Sequence, residues 1–358
     1  MSGSASQLPV PPWQPVAPDD AGFAPGLERK LAAGIESGLL RGLHAVLVAR
    51  GDRLALERYD TGPDELWGRP VGPVSFGPDS LHDLRSVTKS IVGLLYGIAL
   101  DRGLVPPPEA PLLAAVPEYP DLAADPLRAR LTIGHALTMT LGLEWDEARP
   151  YTDPANSEIA MEQAADRCRF ALDRPVVAEP GRRWIYSGGC TALIGALIAR
   201  GTGRSLPDFA REALFEPLGI TNFAWSAGRD GVASAASGLR LRARDLLRIG
   251  TLVLGQGAVR GQRIVSQQWL QASLTPAVAT GDGLHYGRLW FLGTASAPAF
   301  SDPRPWAAGF GNGGQRLWLM PDADLAVVTF AGSYNAPDAW MSPTRVWREI
   351  VLANLERP

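Results

Sequence analysis

The sequence predicts an α+β fold: strands from both chain ends build one antiparallel sheet, terminal helices back it, and a helical region is inserted between. Three observations lead there. Strand-like apolar runs lie near both ends, at 44–59 and 316–330. Helical patterns broken by proline fill the span from about 106 to 225. Helical repeats lie outside each strand group, at 27–39 and 346–355. The expected division is an arm over 1–20, sheet-bearing parts over 21–105 and 230–358, and a helical part over 106–229. The active site is expected between the last two.

Each element has its own signal. The arm is Ser/Pro-rich, and Trp13 is placed to lay it on the surface. Leu27, Leu31, Ile35 and Leu39 recur every four residues, which marks an amphipathic helix. Residues 44–50, Gly51-Asp52 and 53–59 read as a β-hairpin. Residues 60–80 are rich in glycine and proline and read as loop. Thr132 caps a short predicted helix ending at Gly142, a second spans 191–200 before Gly201, and Ser205 caps a third ending before Pro217. Further helices are predicted over 243–254 and after Ser266, and a closing one over 346–355. Strands are predicted over 286–292, 316–320 and 325–330, the last two joined by a turn at Pro321-Asp322-Ala323-Asp324.

Composition narrows the class. With 46% hydrophobic and 20% charged residues in 358, the chain can bury a large core. A net charge of −3 gives no reason to expect nucleic acid or an anionic membrane as partner. The first 18 residues lack the basic start and apolar stretch of a secretory leader. Cys168 and Cys190 are the only cysteines and fit reduced thiols, so a cytoplasmic location is expected.

The stretch that carries chemistry is Ser86-Val87-Thr88-Lys89, opening a helix predicted over 86–102 and apolar on most of its circumference. Gly93 and Gly97 weaken its helix propensity and point to close approach of another backbone. Three residues apart, Ser86 and Lys89 share one face of the first turn. A serine hydroxyl needs a base before it attacks well. Lysine serves if burial and neighbouring cations lower its pKa. The Ser86 N–H, at a helix start, can help hold an oxyanion. Ser-x-x-Lys alone is a weak pattern. Composition strengthens it: of 34 basic residues only Lys30 and Lys89 are lysine. Arginine cannot give up its proton in a protein, whereas lysine can.

Two further stretches matter. Tyr186 follows the turn Glu179-Pro180-Gly181 and precedes a helix. A tyrosine near an ammonium can shuttle protons, although an isolated tyrosine is more often core packing. Gly309-Phe310-Gly311-Asn312-Gly313-Gly314 matches G-x-G-x-x-G, but a strand follows it instead of a helix, which excludes the dinucleotide reading. Glycines leading into a strand let a backbone approach a ligand and offer a second oxyanion donor. No G-x-S-x-G, H-E-x-x-H or Walker A motif occurs. His44, His82, His135 and His285 are scattered, and His82 reads as a loop or packing residue. No metal or other cofactor is expected.

In order, Ser86-Val87-Thr88-Lys89, Tyr186-Ser187-Gly188 and the glycine-rich stretch resemble the serine β-lactamase-like superfamily. The branch is that of class C β-lactamases, D-alanyl-D-alanine peptidases and related esterases, and the look is nearest that of the nylon-oligomer (6-aminohexanoate-dimer) hydrolases. The resemblance runs over roughly 25–355 and includes 137–145, 215–220 and 286–290. It implies a β-lactamase/transpeptidase-like fold, Ser86 as nucleophile, Lys89 and Tyr186 as base and proton-relay pair, and a covalent acyl-enzyme. It also implies an oxyanion hole from the Ser86 N–H and one N–H at Asn312 or Gly313.

Two departures narrow the substrate. Members that process β-lactams usually carry Tyr-x-Asn, where this chain has Gly188, and often Lys or His where it has Gly309-Phe310-Gly311. Both changes remove polar contacts to a carboxylated substrate and favour small esters or simple amides. Trp145, Tyr151 and Trp290 are candidate pocket walls, with Gly188 and Gly311 as substrate-binding positions. A β-lactamase or D-alanyl-D-alanine carboxypeptidase is the alternative. A non-catalytic ligand-binding protein is a third reading, against which the intact Ser86, Lys89 and Tyr186 stand.

Overall fold

The computed structural model describes residues 13–357, so most of the arm predicted over 1–20 lies outside the described residues. The main sheet has nine strands. In chain order they are β1 (Gln14–Pro15), β2 (Leu43–Arg50), β3 (Arg53–Tyr59), β4 (Val278–Ala279), β5 (His285–Tyr286), β6 (Phe291–Ala295), β7 (Arg304–Gly311), β8 (Gln315–Met320) and β9 (Leu325–Ala331). Their spatial order is β1-β3-β2-β9-β8-β7-β6-β5-β4. Only β1 pairs in parallel; every other contact is antiparallel. The two chain ends meet where β2 pairs with β9. This is the β-lactamase/transpeptidase-like fold.

Burial explains the strand sequences. Every residue of β2, β8 and β9 is buried, so these strands read as near-continuous apolar runs. On one face Leu47, Leu317, Leu319, Ala326 and Val328 join the larger core. On the other, Val46, Val48, Trp318, Met320 and Val327 pack with α1 (Leu27–Glu36) and the C-terminal helical segment. That segment runs from Met341 to Asn354 through a π-helical stretch.

The larger core is centred on α2 (Val87–Asp101), whose residues are buried through Ala99. Between α2 and the sheet's later strands the chain is helical, and α3 (Gly188–Thr202) lies against α2. A three-stranded sheet of His82–Asp83, Leu239–Leu241 and Ala224–Trp225 leads the chain into Ser86.

The structure differs from the sequence reading at several places. Residues 61–75 are a β-hairpin, Thr61–Leu66 with Arg69–Ser75, not loop. Pro63, Pro70 and Pro73 are tolerated because a two-stranded ribbon has free edges. The strand expected over 286–292 is split into β5 and β6, and Leu289 sits at φ +63 between them. Gly309 to Gly311 belong to β7 rather than to a loop. The helix expected from residue 191 starts at Gly188, with Ser187 accepting from the Cys190 N–H, and it runs past Gly201 to a left-handed Gly203. The Thr132-capped helix is Ile133–Leu137 only. Leu39 falls beyond α1 and is exposed.

The histidines are not all scattered. His44 Nδ1 and His82 Nε2 are 2.9 Å apart, His82 Nδ1 is 3.0 Å from the Asp83 carbonyl, and the rings stack on Phe76 and Phe330. Both are buried, and burial pushes His44 to a pKa of about 4 and His82 to about 3. They are neutral packing residues at neutral pH.

Gly93 and Gly97 turn out to do different things. A Cβ on Gly93 would lie 3.4 Å from the Arg288 carbonyl, an ordinary contact. A Cβ on Gly97 would lie 2.1 Å from Trp269 Cδ1, so an indole and not a backbone needs that space. Trp269 Nε1 donates to the Gly93 carbonyl at 3.0 Å. Gly97→Ala should therefore lose about 1–3 kcal/mol of stability by overpacking, even though alanine gains about 1 kcal/mol of helix propensity. Gly93→Ala should be neutral or stabilising. Thermal unfolding of both variants checks this; a Gly97→Ala protein as stable as wild type would contradict it.

Candidate active site

Ser86 is held by its neighbours before any chemistry begins. The Leu84 N–H donates to the Leu239 carbonyl at 2.9 Å. Arg85 sits at φ +48, a left-handed backbone in a non-glycine residue. Its guanidinium pairs with Glu65 at 3.0 Å and Asp83 at 3.3 Å and lies over the Tyr334 ring. The end of β7 runs alongside: a Cβ on Gly311 would come 2.4 Å from the Leu84 carbonyl, so only glycine fits there. Ser86 lies in the wall of a cavity of about 150 Å³ that also takes in Trp67, Tyr151, Glu158, Glu162, Ser237 and Asn312.

The structure brings Ser86, Lys89 and Tyr186 together. Lys89 is 1% exposed, and its ammonium has three acceptors: Ser86 Oγ at 2.9 Å, the Ala236 carbonyl at 3.1 Å and Glu158 Oε2 at 3.2 Å. All three N–H bonds are thereby used. Its nitrogen lies 5.0 Å from the centre of the Tyr186 ring. The Ser86 side chain is close enough to Tyr186 to oppose the rise of its pKa.

The electrostatics correct one expectation. A lowered Lys89 pKa needed neighbouring cations, and the neighbours are carboxylates. Burial alone would lower the pKa; the charges of Glu158, Tyr186 and Glu147, with the Glu158 hydrogen bond, outweigh it and raise it. Lys89 rests as an ammonium. Tyr186 is raised by burial, against the pull of Lys89.

Glu158 and Glu147 were not found by sequence reasoning. Glu158, on the short helix Ser157–Glu162, is buried and accepts from Ser237 Oγ at 2.6 Å as well as from Lys89. Burial works to raise its pKa, but Lys89 and Ser237 bring it below the ordinary glutamate value. Glu147 accepts from Trp145 Nε1 at 2.6 Å, from the Tyr151 hydroxyl at 2.8 Å and from the Gly188 N–H. Burial first, then the Glu158 charge, push Glu147 up to about 7. A Cβ on Gly188 would lie 2.6 Å from Glu158 Oε2 and 3.1 Å from Glu147 Oε1. The missing side chain at 188 therefore makes room for two carboxyl groups and does not simply remove a polar contact.

The other predicted site residues separate. Tyr151 and Asn312 line the cavity. The Asn312 side chain is fixed by Asn335 through two hydrogen bonds of 3.0 Å. Gly313 faces the Tyr334 ring and pairs with Ser333, away from the cavity. Trp145 stands behind the site, over Gly189, and orients Glu147. Trp290 is not a pocket wall: it is 1% exposed within the larger core and does not line the Ser86 cavity. Among the described residues, His44, Asp64 and His82 are the one group whose donor atoms lie within metal-binding distance of one another. The histidine nitrogens already face each other, Tyr334 occupies Asp64, and Arg240 lies 3.7 Å from Asp64. That arrangement suits a hydrogen-bonded core cluster and does not fit a resident cation.

The Glu147 shift carries a pH signature. Its folded pKa is raised from 4.5 to about 7, so the fold favours the protonated form. That contribution is complete below pH 4.5 and is lost as pH rises through 7. Glu147→Gln cannot ionise. Its stability relative to wild type should improve by about 2 kcal/mol between pH 5 and pH 8. Paired denaturant titrations at the two pH values test this, and a relative stability that is flat or falls would contradict it.

Comparisons with known proteins bear on the family and the fold. The Beta-lactamase family model matches residues 27–347. A 6-aminohexanoate-dimer hydrolase of Paenarthrobacter ureafaciens is 27% identical over 95% of this chain and 82% of its own. Esterase EstB of Burkholderia gladioli is 30% identical over 56% of this chain and 51% of its own. Among solved structures, EstCE1, a hydrolase with promiscuous acyltransferase activity, superposes with a TM-score of 0.68 at 17% identity, covering 90% of this chain and 97% of its own. The octameric penicillin-binding protein homologue from Pyrococcus abyssi also gives 0.68 at 17% identity, over 92% and 78%. No helix among the described residues is long and apolar enough to cross a membrane. With the match covering most of its length, the chain belongs to the Beta-lactamase family and is a serine hydrolase of that family.

Proposed function

We propose that the protein cleaves small esters or amides through an acyl-enzyme on Ser86. The observation that carries this reading is the Lys89 Nζ to Ser86 Oγ contact at 2.9 Å, inside a buried site that also holds Tyr186. The attacking form, a neutral amine beside the serine, is a minor one that arises when Lys89 passes a proton to Glu158 against the resting bias of the pair. Ser86 Oγ attacks the carbonyl carbon and gives its own proton to that amine, so a new C–O bond and an oxyanion form while Lys89 is again ammonium. Collapse of the oxyanion breaks the bond to the leaving group, which takes a proton from Lys89 through Tyr186. Water then attacks the acyl carbon, giving its proton to the neutral amine. The acid departs as Ser86 regains a proton from Lys89, and Glu158 returns its own proton to Lys89. The oxyanion is held by the Ser86 and Asn312 N–H groups. Two facts support Asn312 over Gly313: it lines the same cavity as Ser86, and it follows Gly311, which touches Leu84 and Arg85.

The cavity wall speaks to the substrate. It carries the carboxyl groups of Glu158 and Glu162, and its cation, Arg85, is already paired with Glu65 and Asp83. Glu162 accepts from Ser234 Oγ at 2.6 Å and lies 3.2 Å from the Arg167 guanidinium, and burial raises its pKa to about 7. A carboxylated β-lactam or D-alanyl peptide would find no unpaired cation in that wall. Neutral or amino-bearing esters and amides fit; a linear 6-aminohexanoate oligomer, which also ends in a carboxylate, fits with its amino end at this wall. Short-chain p-nitrophenyl esters should therefore be cleaved much faster than nitrocefin, and a higher kcat/KM on nitrocefin would favour the β-lactamase reading.

The nucleophile and its partner are tested together. A fluorophosphonate probe should label wild-type protein at Ser86, and Ser86→Ala should lose both the adduct and ester turnover while remaining folded. An adduct that persists or maps to Ser187 would contradict the assignment. Lys89→Arg keeps the charge but cannot release the proton. It should lose about 10² to 10⁴ in kcat/KM, as much as Lys89→Ala. An arginine variant within a few-fold of wild type would make Lys89 an electrostatic residue only.

A further inference from the structure

The hairpin over 61–75, which the mechanism above does not use, reaches the active site at its tip. Its two-residue turn is Trp67-Gly68, flanked by the pair Leu66 and Arg69. Trp67 has φ +48 and Gly68 φ +88. Such a turn with both residues left-handed favours Asn-Gly. A tryptophan there is an outlier, and the surroundings hold it in place. Its backbone N–H donates to Asp83 Oδ2 at 2.6 Å, and Glu65 on the same hairpin pairs with Arg85, next to the nucleophile.

The indole is what the strained position presents. Trp67 is part of the wall of the Ser86 cavity. Its Nε1–H donates to Ser237 Oγ at 3.1 Å, and Ser237 Oγ–H donates to Glu158 Oε1 at 2.6 Å. The other Glu158 oxygen accepts from Lys89, which donates to Ser86. The chain Trp67–Ser237–Glu158–Lys89–Ser86 is thus continuous, and each donor in it is settled by chemistry. Indole can only donate, so the Ser237 hydroxyl proton must go to the carboxylate.

We propose that Trp67 is both a specificity-determining wall of the substrate cavity and a positioning residue that, through Ser237, holds Glu158 on Lys89. This rests on the Ser86 reading above. A turn chosen for its backbone alone would carry asparagine; the tryptophan is kept for its ring and its N–H. The two roles are separable, because phenylalanine retains most of the wall and cannot donate, whereas alanine loses both.

The test is steady-state kinetics of Trp67→Phe, Trp67→Ala, Ser237→Ala and the Trp67→Phe/Ser237→Ala double variant on p-nitrophenyl acetate and a longer acyl ester. Thermal unfolding and fluorophosphonate labelling accompany each. Trp67→Phe should lower kcat by about five- to tenfold, the size of one hydrogen bond, with KM within about twofold. Ser237→Ala should lower kcat by at least as much, and the double variant should lose no more than Ser237→Ala alone, since the indole acts through Ser237. Trp67→Ala should in addition lose discrimination between the two esters. Wild-type kcat in a folded Trp67→Phe protein, or losses that multiply in the double variant, would overturn the positioning role. Unchanged ester preference in Trp67→Ala would overturn the wall. Wild-type protein left unlabelled at Ser86 would instead overturn the functional reading beneath both.

Discussion

The buried pair of Lys89 and Glu158 is the interaction on which the rest of the site depends. Two ions at 1% and 2% exposure lose most of their hydration. Such a pair survives only when every remaining donor and acceptor is met. Lys89 meets that condition with Ser86, the Ala236 carbonyl and Glu158. Glu158 meets it with Lys89 and Ser237. The reactive hydroxyl is therefore part of the hydration substitute of a buried ion, and its position follows from that.

Much of the surrounding structure serves this arrangement. The helix α2 is buried on all sides, so the lysine at its head cannot swing out to water. Gly188 leaves the volume that the two glutamates occupy, and Gly311 lets β7 touch the backbone just before Ser86. Glu147 adds a second carboxyl group held by Trp145, Tyr151 and the Gly188 N–H. Burial, and then the charge of Glu158 beside it, move Glu147 up to about 7. Near neutral pH Glu147 is therefore poised to hold a proton, close enough to Lys89 for each to shift the other.

The sheet, the principal helices and the pair of Ser86 and Lys89 were legible because they rest on local signals, whereas Tyr186 was singled out by the family resemblance. Apolar periodicity marks buried elements, caps mark helix starts, and a lysine in an arginine-rich chain stands out. What stayed hidden depends on contacts far apart in the chain. Glu147, Glu158, Ser237 and Trp67 come from four different segments, and nothing in any of them alone points at Lys89. The hairpin over 61–75 was hidden for another reason: its prolines and glycines carry loop composition, and a two-stranded ribbon accepts them. One signal was available and was read only halfway. Gly188, in place of an amide, looked like a lost contact, when a glycine beside a buried lysine also makes room for an anion. Trp290 erred in the opposite direction, since an aromatic residue near a motif is as often core as pocket.

The central claim is that Lys89 rests as an ammonium bound to Glu158. The sequence makes this unusually direct to measure, because Lys30 and Lys89 are the only lysines. Protein labelled with 15N at the lysine side chains should give two Nζ signals, assigned by Lys30→Arg. The account predicts that the Lys89 signal has the shift of an ammonium at neutral pH and keeps it to at least about pH 9, the direction a carboxylate partner imposes. A Lys89 signal with the shift of a neutral amine at pH 7, titrating below the ordinary lysine range, would contradict it.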